Sequence, residues 1–237
     1  GDLVVVGNGG ADFGVRGFVA AFEAATGKPR WKFFLVPGDP SKGPDGVASA
    51  SVMPMAAKTW NGECWHLGGG GTAWDSIAYD PKRKLVYVGT GNGSPIAQQH
   101  RSPGGGDNLF LCSIVALDAE TGVYRWHYQE VPGEKWDYTC TQSIVLATLP
   151  IDGVSRDVLL HAPKNGFFYV IDRGTGKLLS ANNFAPVNWA THIDPVTGRP
   201  AFNPEMQYGE DPVLVTPGPG GAHNWFPMAY NPDTRLA

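Results

Sequence analysis

FVAAFEAATGKPRW (residues 18–31) and SIVALDAETGVYRW (residues 113–126) align without a gap. Each runs a small-apolar strand into an acidic residue, then Thr-Gly, three further residues and a tryptophan. FFYVIDRGTGKLLS (167–180) is a third copy, with Ser180 where the tryptophan would fall. A second unit, SIAYDPKRKLVYVGTGN (76–92), reads as an alternating strand, an Asp-Pro turn and another alternating strand. MAYNPDTRLA (228–237) opens that unit again.

Strand, Thr-Gly turn and strand, repeated, is an antiparallel hairpin that cannot bury its apolar face alone and must pack on its copies. The closed solution is radial, which predicts an all-β fold, a β-propeller of four-stranded blades. In that architecture the recurring tryptophan is a dock between blades. At about 40–50 residues per blade the chain holds about four to five of them. It opens within a strand (GDLVVVGNGG) and closes on half a hairpin. Residues 1–237 therefore read as a partial propeller domain, truncated at both ends. No long stretch has helical period, so helix is expected to be scarce. The irregular segments 37–63, 93–108 and 181–224 are long for simple connections, and loops of that length usually line sites.

Composition agrees. Charged residues make up 17%, against about 25% in an ordinary soluble domain, while glycine (32) and proline (20) are abundant. That profile fits a β protein with many turns. A net charge of −4 excludes the basic face that nucleic acid requires. No apolar run reaches the roughly 20 residues of a membrane-spanning helix. Cys64, Cys112 and Cys140 are odd in number and lack metal-type spacing, which reads as buried free thiols.

Polar residues cluster where strands end, which in a propeller is around the channel mouth. In HLGGGGTAWDS (66–76) no helix follows the glycines and no lysine precedes Thr72, so a phosphate loop is a poor fit. Two readings stay open there. The glycines let a flat ligand lie against Trp74 with Thr72 as a hydrogen-bonding handle, or they form a tight bend at a blade corner. GNGGADFGVRG (7–17) offers Asp12, VYVGTGNGSP (86–95) Asn92, GEKWDYT (133–139) Asp137, APKNGFF (162–168) Lys164, and GAHNWFP (221–227) His223, Asn224 and Trp225. Asp12, Asn92 and Asp137 carry oxygen donors suited to a hard cation such as Ca²⁺. A turn or capping role is the alternative for each.

Taken together, GGADFGVRG, GGGGTAWDS, VGTGNGSP, SPGGGDNLFLCSIVALD, WDYT, PKNGFFYVIDR and GAHNW resemble the quinoprotein alcohol dehydrogenases along essentially the whole chain. These are periplasmic eight-bladed propellers that use pyrroloquinoline quinone (PQQ) and calcium. SPGGGDNLFL and APKNGFFYV look most like the quinohaemoprotein branch, whose cytochrome c domain would lie beyond Ala237. The resemblance implies oxidation of a small primary alcohol to an aldehyde by hydride transfer to the quinone, with a cytochrome c or appended haem domain as electron acceptor. It implies Asp137 as general base, and Asp12, Asn92 and Asp137 as the calcium ligands, with Asp12 standing where the family usually has glutamate. It implies PQQ contacts from Gly10, Ala11, Thr72, Trp74, Lys164, Asn224 and Trp225, Trp74 being the stacking floor cleared by the glycines. Thr139, where the lanthanide-dependent relatives carry a second aspartate, favours calcium. The adjacent-cysteine disulfide of the family has no counterpart between Gly1 and Ala237, so the isolated chain is expected to hold only part of the pocket and show little activity. Two other readings compete. A scaffold propeller has no reason to gather Thr72, Trp74, Asn92, Asp137 and Lys164 at one mouth. A propeller glycosidase using Asp12 and Asp137 leaves the Gly-Thr-Trp stretch without a role.

Overall fold

The structure is a computed structural model that describes residues 2–237. Strands β1 (Leu3–Gly7), β2 (Phe18–Glu23) and β3 (Pro29–Phe34) form a three-stranded antiparallel sheet in that order. Next along the chain come β4 (Gly69–Gly70), β5 (Ile77–Asp80), β6 (Leu85–Gly89), β7 (Gly93–Ser94), β8 (Ser113–Asp118) and β9 (Tyr124–Gln129). Of these, β5-β6-β8-β9 make a four-stranded blade, and β4 pairs with β7 and through Gly70 bridges Arg16. A second full blade follows, made of β10 (Ile144–Ile151), β11 (Val154–His161), β12 (Phe167–Asp172) and β13 (Leu178–Asn183). The hairpin β14 (Ala190–Ile193) and β15 (Pro200–Phe202) comes last, and Asn231 bridges Leu236 to begin one more turn. Helix is confined to α1 (Met53–Ala57), α2 (Gln98–Arg101) and short 3₁₀ turns. The all-β blades match the propeller reading.

The central strands read as apolar runs because both of their faces are covered. On β8, Ile114 and Ala116 join the core facing the third sheet, with Tyr87, Leu159 and Tyr169. Val115 and Leu117 alternate to the other side and pack with Val19, Phe33 and Val88 of the first core. The sheet of β8 is thus the floor of one core and the roof of the next.

The tryptophans dock between blades as the repeat predicted. Asp118 Oδ1 accepts the backbone N–H groups of Glu120 and Thr121 and the Thr121 hydroxyl, and Gly122 closes the turn at φ 71°. A Cβ on Gly122 would lie 2.6 Å from the Trp31 ring, and one on Gly176 2.5 Å from the Trp126 ring. Each indole therefore seats flat on the turn of the following blade only because glycine stands there. Trp31 Nε1 also donates to Ala119 O at 3.0 Å. At the next junction the equivalent acceptor, Arg173 O, is taken by the Tyr87 hydroxyl at 2.7 Å, and Trp126 Nε1 is left without a partner.

The long segments need correction. Within 181–224 a fourth copy of the same turn joins β14 to β15. Asp194 Oδ1 accepts from Val196 N, Thr197 N and the Thr197 hydroxyl, and Gly198 N bonds Asp194 O. Its signal, Asp-x-x-Thr-Gly, was legible at 194–198, but no apolar run flanks it. Segment 37–63 is mainly packing material, since Val52, Met53 and Ala56 insert beside Phe33 and Leu35. All three cysteines are buried and free.

Candidate functional site

Antiparallel strands alternate in direction, so the connections divide between two ends of the sheets. The Thr-Gly turns lie at one end. The β1–β2, β6–β8, β9–β10 and β11–β12 connections lie at the other, and these carry Asp12, Asn92, Asp137 and Lys164. Topology alone therefore brings these four residues to one end.

Asp12 sits in a one-turn 3₁₀ helix, Ala11–Phe13, entered through Gly10 at φ 91°. The buried Ala11 anchors that turn while Asp12 stays exposed. Asn92 Nδ2 donates to Asp12 Oδ1 at 2.9 Å. Lys164, 7% exposed, donates from Nζ to the Asp137 carbonyl at 3.0 Å and lies 3.6 Å from Asp137 Oδ2. Burial pushes the Asp137 carboxyl up from the ordinary carboxylate range; the Lys164 ammonium opposes this and the Asp12 charge adds to it. Asp137 takes φ 62°, a left-handed conformation uncommon outside glycine. Its neighbours are tied to the segment that follows β15: Trp136 Nε1 donates to Met206 O at 2.9 Å and the Tyr138 hydroxyl to Pro217 O at 2.6 Å.

The glycine run has a different task from the one expected. Gly68 to Gly71 all take positive φ, between 68° and 83°. A Cβ on Gly68 would lie 2.4 Å from Val15 C, one on Gly70 2.5 Å from Asn92 O, and one on Gly71 2.7 Å from Val36 Cγ1. Gly70 N bonds Val15 O, Gly17 N bonds Gly70 O, and Gly71 N bonds Asn92 O. The missing side chains make room for the backbone at Val15 and Asn92 and for the Val36 side chain. The run ties the Asp12 connection to the Asn92 connection through the β4–β7 pair, so the corner reading prevails.

Thr72 follows directly and is fully buried, with its hydroxyl unpartnered. An orphaned buried hydroxyl costs about 1–3 kcal/mol. Trp74 is 37% exposed. His223 lies with Nδ1 2.6 Å from Ala162 O and Nε2 2.8 Å from Phe226 O, two carbonyl acceptors of which a neutral ring donates to one and a protonated ring to both, and burial raises the Asp75 carboxyl while His223 opposes the rise. Ala222 N bonds Lys164 O at 3.0 Å, which seats 221–225 against Lys164. Asn224 Nδ2 donates to Gly220 O, its Oδ1 has no partner, and Trp225 is exposed. The structure thus brings Asp12 to Asn92, Asp137 to Lys164, and the Asn224 segment to Lys164.

These groups fit the cofactor and cation that the sequence suggested. Among the described residues no group donates to Asn92 Oδ1, and the Asp12 and Asp137 carboxylates each keep a second oxygen outside their contacts with Asn92 and Lys164, so three hard oxygen donors are on offer. The Thr72 hydroxyl, the Asn224 amide oxygen and the open Trp74 face suit a flat, carboxylate-bearing ring. A cavity of about 550 Å³ is lined by Leu3, Val5, Ile77 and Tyr79 with Arg30 and Glu120. It opens towards the Thr-Gly end and holds none of these residues. Sequence reasoning missed Glu134 and Arg101, both buried beneath the Asp137 loop, and Tyr208, whose hydroxyl is pushed up by burial and by the charges of Glu134 and Asp137.

The family model for PQQ, glucose/ethanol/alcohol dehydrogenase, β-propeller domain, matches residues 1–192. Quinohemoprotein alcohol dehydrogenase ADH IIB of Pseudomonas putida is 56% identical over 98% of this chain and 33% of its own length. The crystal structure of quinohemoprotein alcohol dehydrogenase from Comamonas testosteroni superposes with a TM-score of 0.93 at 54% identity, covering 98% of this chain and 34% of that one. A europium-containing methanol dehydrogenase gives a TM-score of 0.87 at 36% identity, over 99% of this chain and 42% of that one. The chain spans about a third of the length of the curated relatives it matches.

Proposed function

Because the chain belongs to the PQQ glucose/ethanol/alcohol dehydrogenase β-propeller family, we propose that it forms part of the catalytic propeller of a PQQ- and calcium-dependent dehydrogenase of primary alcohols. When bound, PQQ supplies the acceptor for the hydride of the carbinol carbon, and Ca²⁺ the Lewis acid on its carbonyl. Asp12, Asn92 and Asp137 hold the cation. Gly10, Ala11, Thr72, Trp74, Lys164, Asn224 and Trp225 hold the cofactor. Asp137 takes the alcohol proton. A carboxylate is a weak base, so its contribution rests on being held in place, half-buried beside the Lys164 ammonium. Electrons leave to a cytochrome c or a haem domain, in keeping with the quinohemoprotein relatives.

The observation that carries this reading is the meeting of Asp137 with Lys164, and of Asp12 with Asn92, at the end of the sheets remote from the Thr-Gly turns. A scaffold propeller has no use for an aspartate and a lysine so enclosed. The test takes the complete gene product carrying this sequence, reconstituted with PQQ and Ca²⁺ and assayed on an alcohol panel. Asp137→Asn should lower turnover by roughly 10²–10⁴-fold. Unchanged turnover removes Asp137 from the role.

A further inference from the structure

Glu134 is fully buried, three residues ahead of Asp137, and has no place in the chemistry proposed above. Its Oε1 accepts two hydrogen bonds at once, from Trp136 N at 2.7 Å and from Tyr138 N at 2.8 Å. Those are the amides on either side of Asp137. One carboxylate oxygen therefore clamps the N–H groups of the residues before and after Asp137, and the residue between them is the one held at φ 62°. Oε2 faces the amide of Gly93, next to Asn92, at 3.5 Å. Beneath, the buried guanidinium of Arg101 donates to the Glu134 carbonyl and, at 2.9 Å, to Pro95 O. Arg101 thereby joins the Asp137 loop to the strand end that carries Asn92.

A left-handed conformation outside glycine persists only where its surroundings over-determine it. Here the over-determination has a named source. Resting on the role assigned above to Asp137, we propose that Glu134 is its positioning residue: by accepting the Trp136 and Tyr138 amides it fixes the backbone of Asp137 and so aims the carboxylate. Glu134 touches neither substrate nor cofactor and acts only through that loop.

The test uses the complete gene product with Glu134→Ala, Glu134→Gln and Asp137→Asn. Glutamine keeps an Oε1 acceptor for both amides, whereas alanine removes it. Both variants leave Arg101 without its carboxylate neighbour, so both should melt earlier. Only Glu134→Ala should lose kcat, by about 10²-fold with KM held within a few-fold, as a misplacement of about 1 Å costs. A readout independent of turnover is amide exchange of the peptide spanning 134–141, which should quicken at Trp136 and Tyr138 in Glu134→Ala and stay slow in Glu134→Gln. Equal loss of kcat in the two Glu134 variants, or wild-type kcat and exchange in Glu134→Ala, overturns the proposal. If Asp137→Asn itself keeps full turnover, the assignment of Asp137 fails, while the exchange result still decides whether Glu134 holds the loop.

Discussion

Lys164 grips Asp137 at both ends, with Nζ 3.0 Å from its carbonyl oxygen and 3.6 Å from carboxylate Oδ2. The ammonium thus stands against the candidate base, and the proposed cofactor site includes it. Lys164→Met keeps the buried stem and removes the charge. Hydrogen bonds to charged groups contribute about 1.5–3 kcal/mol, so PQQ should bind the complete protein roughly 10- to 100-fold more weakly, read by absorbance titration. Unaltered affinity would take Lys164 out of the cofactor site.

Gly70 is where the glycine run is least replaceable. At φ 83° its Cβ would meet Asn92 O at 2.5 Å and Ser94 N at 2.7 Å, both backbone atoms that cannot yield cheaply. Gly70→Ala should break the β4–β7 pair, displace Asn92, and weaken calcium retention together with a lowered Tm. Calcium retention measured by elemental analysis at wild-type level would show that Asn92 is held by other means.

Trp126 and Gly176 form one joint between the two complete blades. Trp126→Ala removes a nearly buried ring, 8% exposed, and should cost about 3–5 kcal/mol in denaturant unfolding. Gly176→Ala drives a Cβ to 2.5 Å from that ring and should cost on the order of 1–3 kcal/mol. In the Trp126→Ala background the steric part of the Gly176→Ala cost should vanish. Additive costs would mean that the two do not share a joint.

Acid should loosen the junction of those blades. Thr148, Arg83 and Lys82, with Arg173, hold the Asp157 carboxyl far below its ordinary range, and Arg83 and Arg173 each span from Asp157 to Asp80. Asp118 is held at about 2, where hydrogen bonds from Arg125 and Thr121 outweigh burial. Depressed carboxylates stabilise fully above their unfolded value near 4 and lose that contribution as pH falls through the folded value. Tm should therefore fall between about pH 4 and pH 2, and Asp157→Asn should flatten that slope. An equal slope in the variant would assign the acid sensitivity elsewhere.

Much of this protein can be read along the chain. The acidic-x-x-Thr-Gly turns, two of them with a tryptophan at fixed offset, are local chemistry, in which the aspartates cap two amides and glycine takes φ near 70°. Their recurrence implies stacked hairpins. Strict alternation of strand direction then sends Asp12, Asn92, Asp137 and Lys164 to the end opposite the turns, so their company was implied before any contact was known. The hairpin at 190–202 escaped because its turn lacks flanking apolar runs.

Three things belong to the tertiary structure alone. The space vacated by Gly68–Gly71 is filled by Val15 and Asn92, from two other connections, and by Val36, about thirty residues earlier in the segment that leads into the run. The partner that Trp126 loses to Tyr87 depends on a carbonyl three strands away. Glu134, one acidic residue among 22 in the sequence, is distinguished only by burial against Arg101 and the two amides around Asp137. Periodicity and turn chemistry act between near neighbours and are written in order along the chain. Close approach of distant backbone, and the pairing of a buried charge, depend on which segments meet, and that is settled only when the sheets pack.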